Sequence, residues 1–140
     1  IPTVEYRVEN PLAEKFETPA LVISNHQSML DAAVFMALSP KLVLVSNRYP
    51  SNNWVVKWIY RWMGCITLSD NMQENLSLLK KRVQQGYSIV VFPEGKRNSQ
   101  SSILRFHKGA FYLAESLKLD IVPVLLHGLN EVLPRNSLAV

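Results

Sequence analysis

The chain has 140 residues, 48% of them hydrophobic and 19% charged, with a formal charge of +4. That length suits a single domain across residues 1–140 with a real core, and that composition excludes a disordered chain. With one cysteine, Cys65, an internal disulfide is impossible, and the longest apolar run, residues 32–38, is far too short to span a bilayer.

Short apolar runs alternate with helical patterns. Residues 3–8 read as an opening strand and residues 20–24 as a stronger one. A helix follows over 28–38, closed by Pro40, and then a strand over 42–46. Residues 53–63 read as an amphipathic helix, 65–68 as a short strand, and 71–85 as a helix stopped by Gly86. The continuous apolar run 89–92 reads as a strand buried on both faces of a parallel sheet. A helix over 108–117 and a strand over 121–126 complete the series. Such alternation predicts an α/β domain whose largely parallel sheet is flanked by helices on both faces. The chain opens on Ile1-Pro2 without a methionine and ends in Leu138-Ala139-Val140. It is therefore expected to be a piece of a longer polypeptide.

Ligands in such folds gather at the carboxyl ends of strands, and two motifs fall there. The first pairs His26 with Asp31. Five residues along one continuous helix would set two side chains about 140° apart. His26 must therefore precede the helix, with Asp31 in its first turn. Ser28-x-x-Asp31 has the form of a capping box, which folds the carboxylate back toward the imidazole. An unperturbed imidazole titrates near ~6.5, so it can accept a proton at neutral pH. A carboxylate on one ring nitrogen orients the other outward as a base. Alone, the pair reads more simply as a helix-start aspartate and a loop histidine.

The second motif is Phe92-Pro93-Glu94-Gly95-Lys96-Arg97. Pro93 ends the strand, Gly95 permits a tight turn and close backbone approach, and Arg97 offers a planar fork for a phosphate, with Lys96 adding charge. From Lys80 to Lys108 there are seven Lys or Arg against one acid, Glu94. That excess suits a phosphate-bearing partner or an anionic membrane face. Arg105 and Lys108, at the next helix start, are further candidates for holding an anion. Each feature is also compatible with a plain basic surface.

Taken in order, Asn25-His26-Gln27-Ser28-x-x-Asp31, Phe92-Pro93-Glu94-Gly95-Lys96-Arg97-Asn98 and Ile121-Val122-Pro123-Val124 resemble the glycerolipid acyltransferases typified by lysophosphatidic acid acyltransferase. The resemblance runs from about residue 20 to 126. It implies a mixed, largely parallel sheet of the glycerol-3-phosphate acyltransferase type, flanked by helices. His26 would be the general base and Asp31 its orienting acid. Glu94, Gly95, Lys96 and Arg97 would hold the acceptor head group, and the Pro123 strand would help line the acyl site. The acyl donor would be acyl-CoA or acyl-carrier protein as co-substrate, with no bound cofactor. The family's further arginine, after a glycine, falls at Asp70, where a carboxylate would repel a phosphate. Asp70 is alternatively a helix cap, with Gln73 at its third position. An acceptor without phosphate, including an amine, thus stays open, as does a non-catalytic lipid-binding or regulatory module on the same fold.

Trp54, Trp58 and Trp62 lie at four-residue spacing in one helix, bordered by Lys57 and Arg61. Its apolar arc covers roughly 200°, wider than sheet packing requires. Membrane or acyl-chain contact and a covering neighbour both fit it. The expected setting is the cytoplasmic side of a membrane, peripheral to it or tethered by parts outside this chain. No Gly-x-Ser-x-Gly elbow is present for a serine hydrolase. His26, His107 and His127 lack metal-ligand spacing, and no motif for nucleic-acid binding accompanies the basic stretch.

Overall fold

The computed structural model describes residues 5–47, 52–98, 100 and 102–133. Its elements run β1 (Leu21–Ser24), α1 (Leu30–Leu38), β2 (Leu42–Ser46), α2 (Trp54–Trp62), β3 (Ile66–Thr67), α3 (Met72–Gln84), β4 (Ser88–Val91), α4 (Gly109–Leu117), β5 (Ile121–Val124) and α5 (Leu129–Val132). The strands form one sheet in the order β3-β2-β4-β1-β5. Every pairing is parallel. The α/β class therefore holds, while the mixed sheet expected from the resemblance is parallel throughout the described residues. The sequence carries the reason: each strand is followed by a helical segment, not by a tight hairpin turn.

Side chains alternate along the strands and build two cores. Leu21, Val43, Val45, Ile66, Ile89 and Val91 pack with Leu79 of α3 and with Ala110, Leu113 and Ala114 of α4. Val22, Leu42, Leu44 and Val90 face the other way, onto Ala32 and Phe35 of α1, Phe16 and Leu126. Helices thus cover both faces. β4 is buried along its whole length, as a continuous apolar run between helix layers should be. β5 is half-exposed and tolerates Pro123 because it lies at the sheet edge.

This topology explains why the site forms where it does. β1 and β4 are neighbours, yet the chain leaves β1 for α1 on one face and β4 for α4 on the other. Departing on opposite faces, the two connections open a crevice at the carboxyl ends of β1 and β4. His26 follows β1 and Glu94 follows β4.

Several expectations are corrected. Residues 5–8 of the expected opening strand are irregular and exposed; residues 3 and 4 lie outside the described residues, as do the two chain ends. Tyr6 and Val8 alternate like a strand, but among the described residues no strand pairs with them. Asp70 does not cap α3. Asn71 does, its Oδ1 accepting from the N–H groups of Gln73 and Glu74.

Candidate active site

The loop after β1 turns back on Asp31. Asp31 is fully buried in the first turn of α1. The Gln27 N–H donates to its Oδ2 (2.7 Å) and the Ser28 N–H donates to its carboxylate (3.1 Å). The Ser28 hydroxyl accepts in turn from the Leu30 N–H (3.3 Å), so a capping-box-like turn is made. His26 Nδ1–H donates to Asp31 Oδ2 at 2.6 Å. An ionised carboxylate can only accept, so the proton of the neutral ring sits on Nδ1 and the lone pair on Nε2. The His26 side chain is 22% exposed.

The ring's other support is Phe92. The two rings stack at 4.2 Å between centroids and 17° between planes. Phe92 meets Phe35 of α1 edge-on, 6.0 Å away. The imidazole is therefore fixed by one short hydrogen bond and one aromatic floor. The sequence showed Phe92 only as the end of an apolar strand; nothing in it marked the stacking.

Glu94 joins the two motifs. It is 2% exposed, and its Oε1 accepts from the His26 N–H (2.8 Å) while Oε2 accepts from the Leu104 N–H (2.8 Å). Both oxygens are thus engaged by backbone. Glu94 acts as a strut between the two loops, a role that the motif alone did not show. The Asn98 N–H donates to the His26 carbonyl (2.7 Å), closing a second link across the crevice. Asn98 also donates through its side-chain amide to the Ser102 carbonyl, and its Oδ1 accepts from the Gln100 N–H (3.0 Å). On the β5 side, Asn25 clamps Leu126 through both its N–H and its carbonyl, each at 2.8 Å.

Gly95 makes the turn with φ +70°, and an added Cβ would approach the His107 ring to 3.3 Å. A side chain there would be strained and crowded. The Gly95 N–H donates to the Phe92 carbonyl (3.1 Å), and the His107 N–H donates to the Pro93 carbonyl (2.8 Å). Lys96 is exposed and Arg97 half-buried.

His26 and Glu94 line one cavity of about 160 Å³, with Asn25, Gln27, Asn98 and Gln100; its apolar rim is Ile103, Leu125 and Leu126, and His127 closes it. Gly95, Lys96 and Arg97 follow Glu94 directly but do not line this cavity. Neither do Arg105 or Lys108, both exposed, nor Pro123, whose place is taken by the residues just after β5. His127 was legible only as a histidine without metal-ligand spacing. A larger hollow of about 280 Å³ lies at the opposite end of β1 and β5, between Glu14, Glu17 and Asp120. It holds no histidine or cysteine and sits at the wrong end of a parallel sheet for a ligand site.

On α2, Tyr60 turns inward and is half-buried. Burial pushes its phenol above the usual range, the Cys65 thiol adds to that, Arg97 pulls it down and Asp31 raises it. The inner face of α2 is therefore within electrostatic reach of both motifs. Cys65 itself is pushed up to about 11 by burial. A neutral thiol is a poor nucleophile, so burial works against Cys65 as an attacking group. Iodoacetamide at pH 8 is expected to label the folded protein on the order of a hundredfold more slowly than the urea-unfolded chain. Mass spectrometry of quenched time points reads that ratio, and comparable rates would refute the assignment.

Among the described residues, no group of three or more His, Cys, Asp or Glu is placed to hold a metal, and no helix is long and apolar enough to cross a membrane.

Comparison with known proteins shows the family and the fold. A family model described as Acyltransferase matches residues 4–127. The chloroplastic 1-acyl-sn-glycerol-3-phosphate acyltransferase LPAT1 of Arabidopsis thaliana is 31% identical over 129 residues, which cover 86% of this chain and 35% of that protein. The human 1-acyl-sn-glycerol-3-phosphate acyltransferase beta is 30% identical over 128 residues, 87% of this chain and 46% of that one. Among solved structures, the 1-acyl-sn-glycerophosphate (LPA) acyltransferase PlsC of Thermotoga maritima superposes with a TM-score of 0.63 at 23% identity. It covers 85% of this chain and 48% of that one, and shows the shared fold. The chain spans less than half the length of these relatives.

Proposed function

The chain belongs to the acyltransferase family, and from that premise we propose that it carries the centre that moves a fatty acyl group from a thioester donor to the hydroxyl of a lysophospholipid. The observation that carries this reading is the short Nδ1–H bond from His26 to the buried Asp31, made on the wall of a cavity. It leaves Nε2 as the basic nitrogen of a ring held from below by Phe92.

In the proposed reaction the acceptor hydroxyl gives its proton to His26 Nε2 as its oxygen attacks the thioester carbonyl. Asp31 stabilises the imidazolium that forms. The tetrahedral intermediate collapses by breaking the carbon–sulfur bond, and the imidazolium returns the proton to the departing thiolate. The products are an ester and a free thiol, with no acyl-enzyme. Acyl-CoA or acyl-carrier protein is the proposed donor.

The proposed acceptor is a 1-acylglycerol-3-phosphate, the substrate class that the relatives' names carry. Its phosphate would meet Arg97 and Lys96 just beyond Glu94, with Gly95 allowing a close backbone approach. Asp70 is exposed at the carboxyl end of the sheet, after β3. Its charge favours a head group seated on the Arg97 side, near β4. Arg97→Ala is expected to raise KM for the phosphorylated acceptor roughly tenfold or more, a charged hydrogen bond being worth about 1.5–3 kcal/mol. Little change in kcat should accompany it. An unchanged KM would remove Arg97 from the head-group site.

The deciding experiment uses the full-length protein that contains this domain. Acyl-CoA and acyl-carrier protein are offered against lysophosphatidic acid, lysophospholipids with other head groups, and long-chain amines. Diacylated phospholipid is the expected product. Free fatty acid alone would indicate a hydrolase, and no turnover with any donor would indicate a binding module.

A further inference from the structure

α2 presents most of its apolar surface to solvent. Trp54, Trp58 and Trp62 are 77%, 62% and 72% exposed, and Val55 and Ile59 are exposed beside them. By the helical wheel these five cover about 140°, from Trp54 round to Ile59. Only Val56, Tyr60 and Met63 face inward, and they are half-buried. No residue of α2 is buried. An apolar face of this size on a short, partly seated helix marks a contact surface.

Charge and side-chain chemistry select the occupant. α2 carries no acid, and its two bases, Lys57 and Arg61, are exposed on the flank of the tryptophan row. By the same wheel, Arg61 lies about 20° from Trp54 and Lys57 about 60°. Indole rings combine a broad apolar body with a polar N–H and settle at headgroup depth. Lysine and arginine along the same edge are drawn to anionic lipid. A nine-residue helix is too short to cross a bilayer but is suited to lying in its surface.

We propose that the tryptophan face of α2 docks on an anionic phospholipid bilayer, with the indoles in the headgroup layer. The opposite face of the same helix holds Tyr60, which feels the charges of Arg97 and Asp31. Docking would thereby hold the domain at the surface in which a lysolipid lies. The link to lysolipid entry rests on the acyl-transfer reading; the docking itself does not.

The chain's three tryptophans all lie on α2, so this chain's tryptophan emission, excited selectively near the red edge of its absorption, reports on this face. Vesicles of phosphatidylglycerol and phosphatidylcholine should shift the emission to the blue, and lipids brominated near the headgroup should quench it. Trp58→Glu is expected to weaken partitioning about tenfold or more. The Lys57→Glu and Arg61→Glu pair should weaken it on the order of tenfold or more, through loss of electrostatic attraction. Phosphatidylcholine alone should bind more weakly than the anionic mixture. Circular dichroism checks that each variant is folded, and Trp58→Ser provides a second, uncharged substitution.

In the full-length enzyme, Trp58→Glu should slow turnover of vesicle-embedded acceptor while leaving turnover of a monomeric short-chain acceptor unchanged. Equal partitioning of wild type and both Trp58 variants would overturn the proposal. So would indoles shielded from acrylamide before lipid is added, whether by another segment of the polypeptide or by a second copy. Vesicle binding lost in Trp58→Glu, with no acyl transfer by any form, would leave the docking standing and remove the acyl-transfer reading alone.

Discussion

His26→Ala is expected to lower acyl transfer by about 10²–10⁴-fold, the usual effect of removing a general base, with little loss of stability. The imidazole is partly exposed at a cavity wall, so its removal leaves no large buried void. The Gln27 and Ser28 N–H groups still donate to Asp31, so the turn that carries the site keeps its shape. Asp31→Asn tests the other half of the pair. The amide has one carbonyl oxygen for the acceptor work now done by two carboxylate oxygens, and its NH₂ cannot accept from the Gln27 N–H or from Nδ1–H. The imidazole would be driven toward the tautomer with its proton on Nε2, which cannot act as a base. A loss approaching that of His26→Ala is expected, together with about 1–3 kcal/mol of stability for a buried donor left without an acceptor. The readouts are single-turnover rates and urea unfolding midpoints. Full transfer by His26→Ala would falsify the assignment of the base.

The sequence made the scaffold legible to different depths, and the difference follows how local each element's signal is. β2 and α2 were readable almost to the residue: β2 is an unbroken apolar run, and α2 has a helical repeat closed at its start by Asn53, whose side chain accepts from the Val55 N–H. β3 and β5, at the two sheet edges, came out shorter than their apolar runs. Pairing ends where the neighbouring strand ends, and no single-strand pattern records that. α5, only four residues long, has too few positions to show a helical period. Asp70 and Asn71 are both capable caps, and only the backbone path at 71 decides between them.

Within the site, the His26–Asp31 pair was readable because it is local: a capping turn brings residues five apart into contact. Glu94 was visible as a charge but not as a strut. Its partners lie 68 and 10 residues away, so its function as an acceptor exists only once β1 and β4 lie side by side. Phe92 under the imidazole depends on the same pairing, and Asn25 on Leu126 depends on that of β1 with β5.

Glu94→Ala carries the second large expected effect, and it separates two roles. The substitution strips the acceptor from the His26 N–H and from the Leu104 N–H, both in partly buried surroundings. Each orphaned donor costs about 1–3 kcal/mol, and partial access to water places the total at roughly 2–3 kcal/mol. The backbone at His26 would then be held across the crevice by the Asn98 N–H alone. A displacement of about 1 Å at a catalytic group can cost on the order of 10²-fold, so kcat should fall by about that much. Glu94→Gln keeps one acceptor and is expected to show an intermediate loss in both stability and kcat. If Glu94 instead gripped the acceptor, its removal would raise KM, leave kcat largely intact and barely move the unfolding midpoint. The strut assignment requires the reverse: stability and kcat falling together across wild type, glutamine and alanine, with KM little changed.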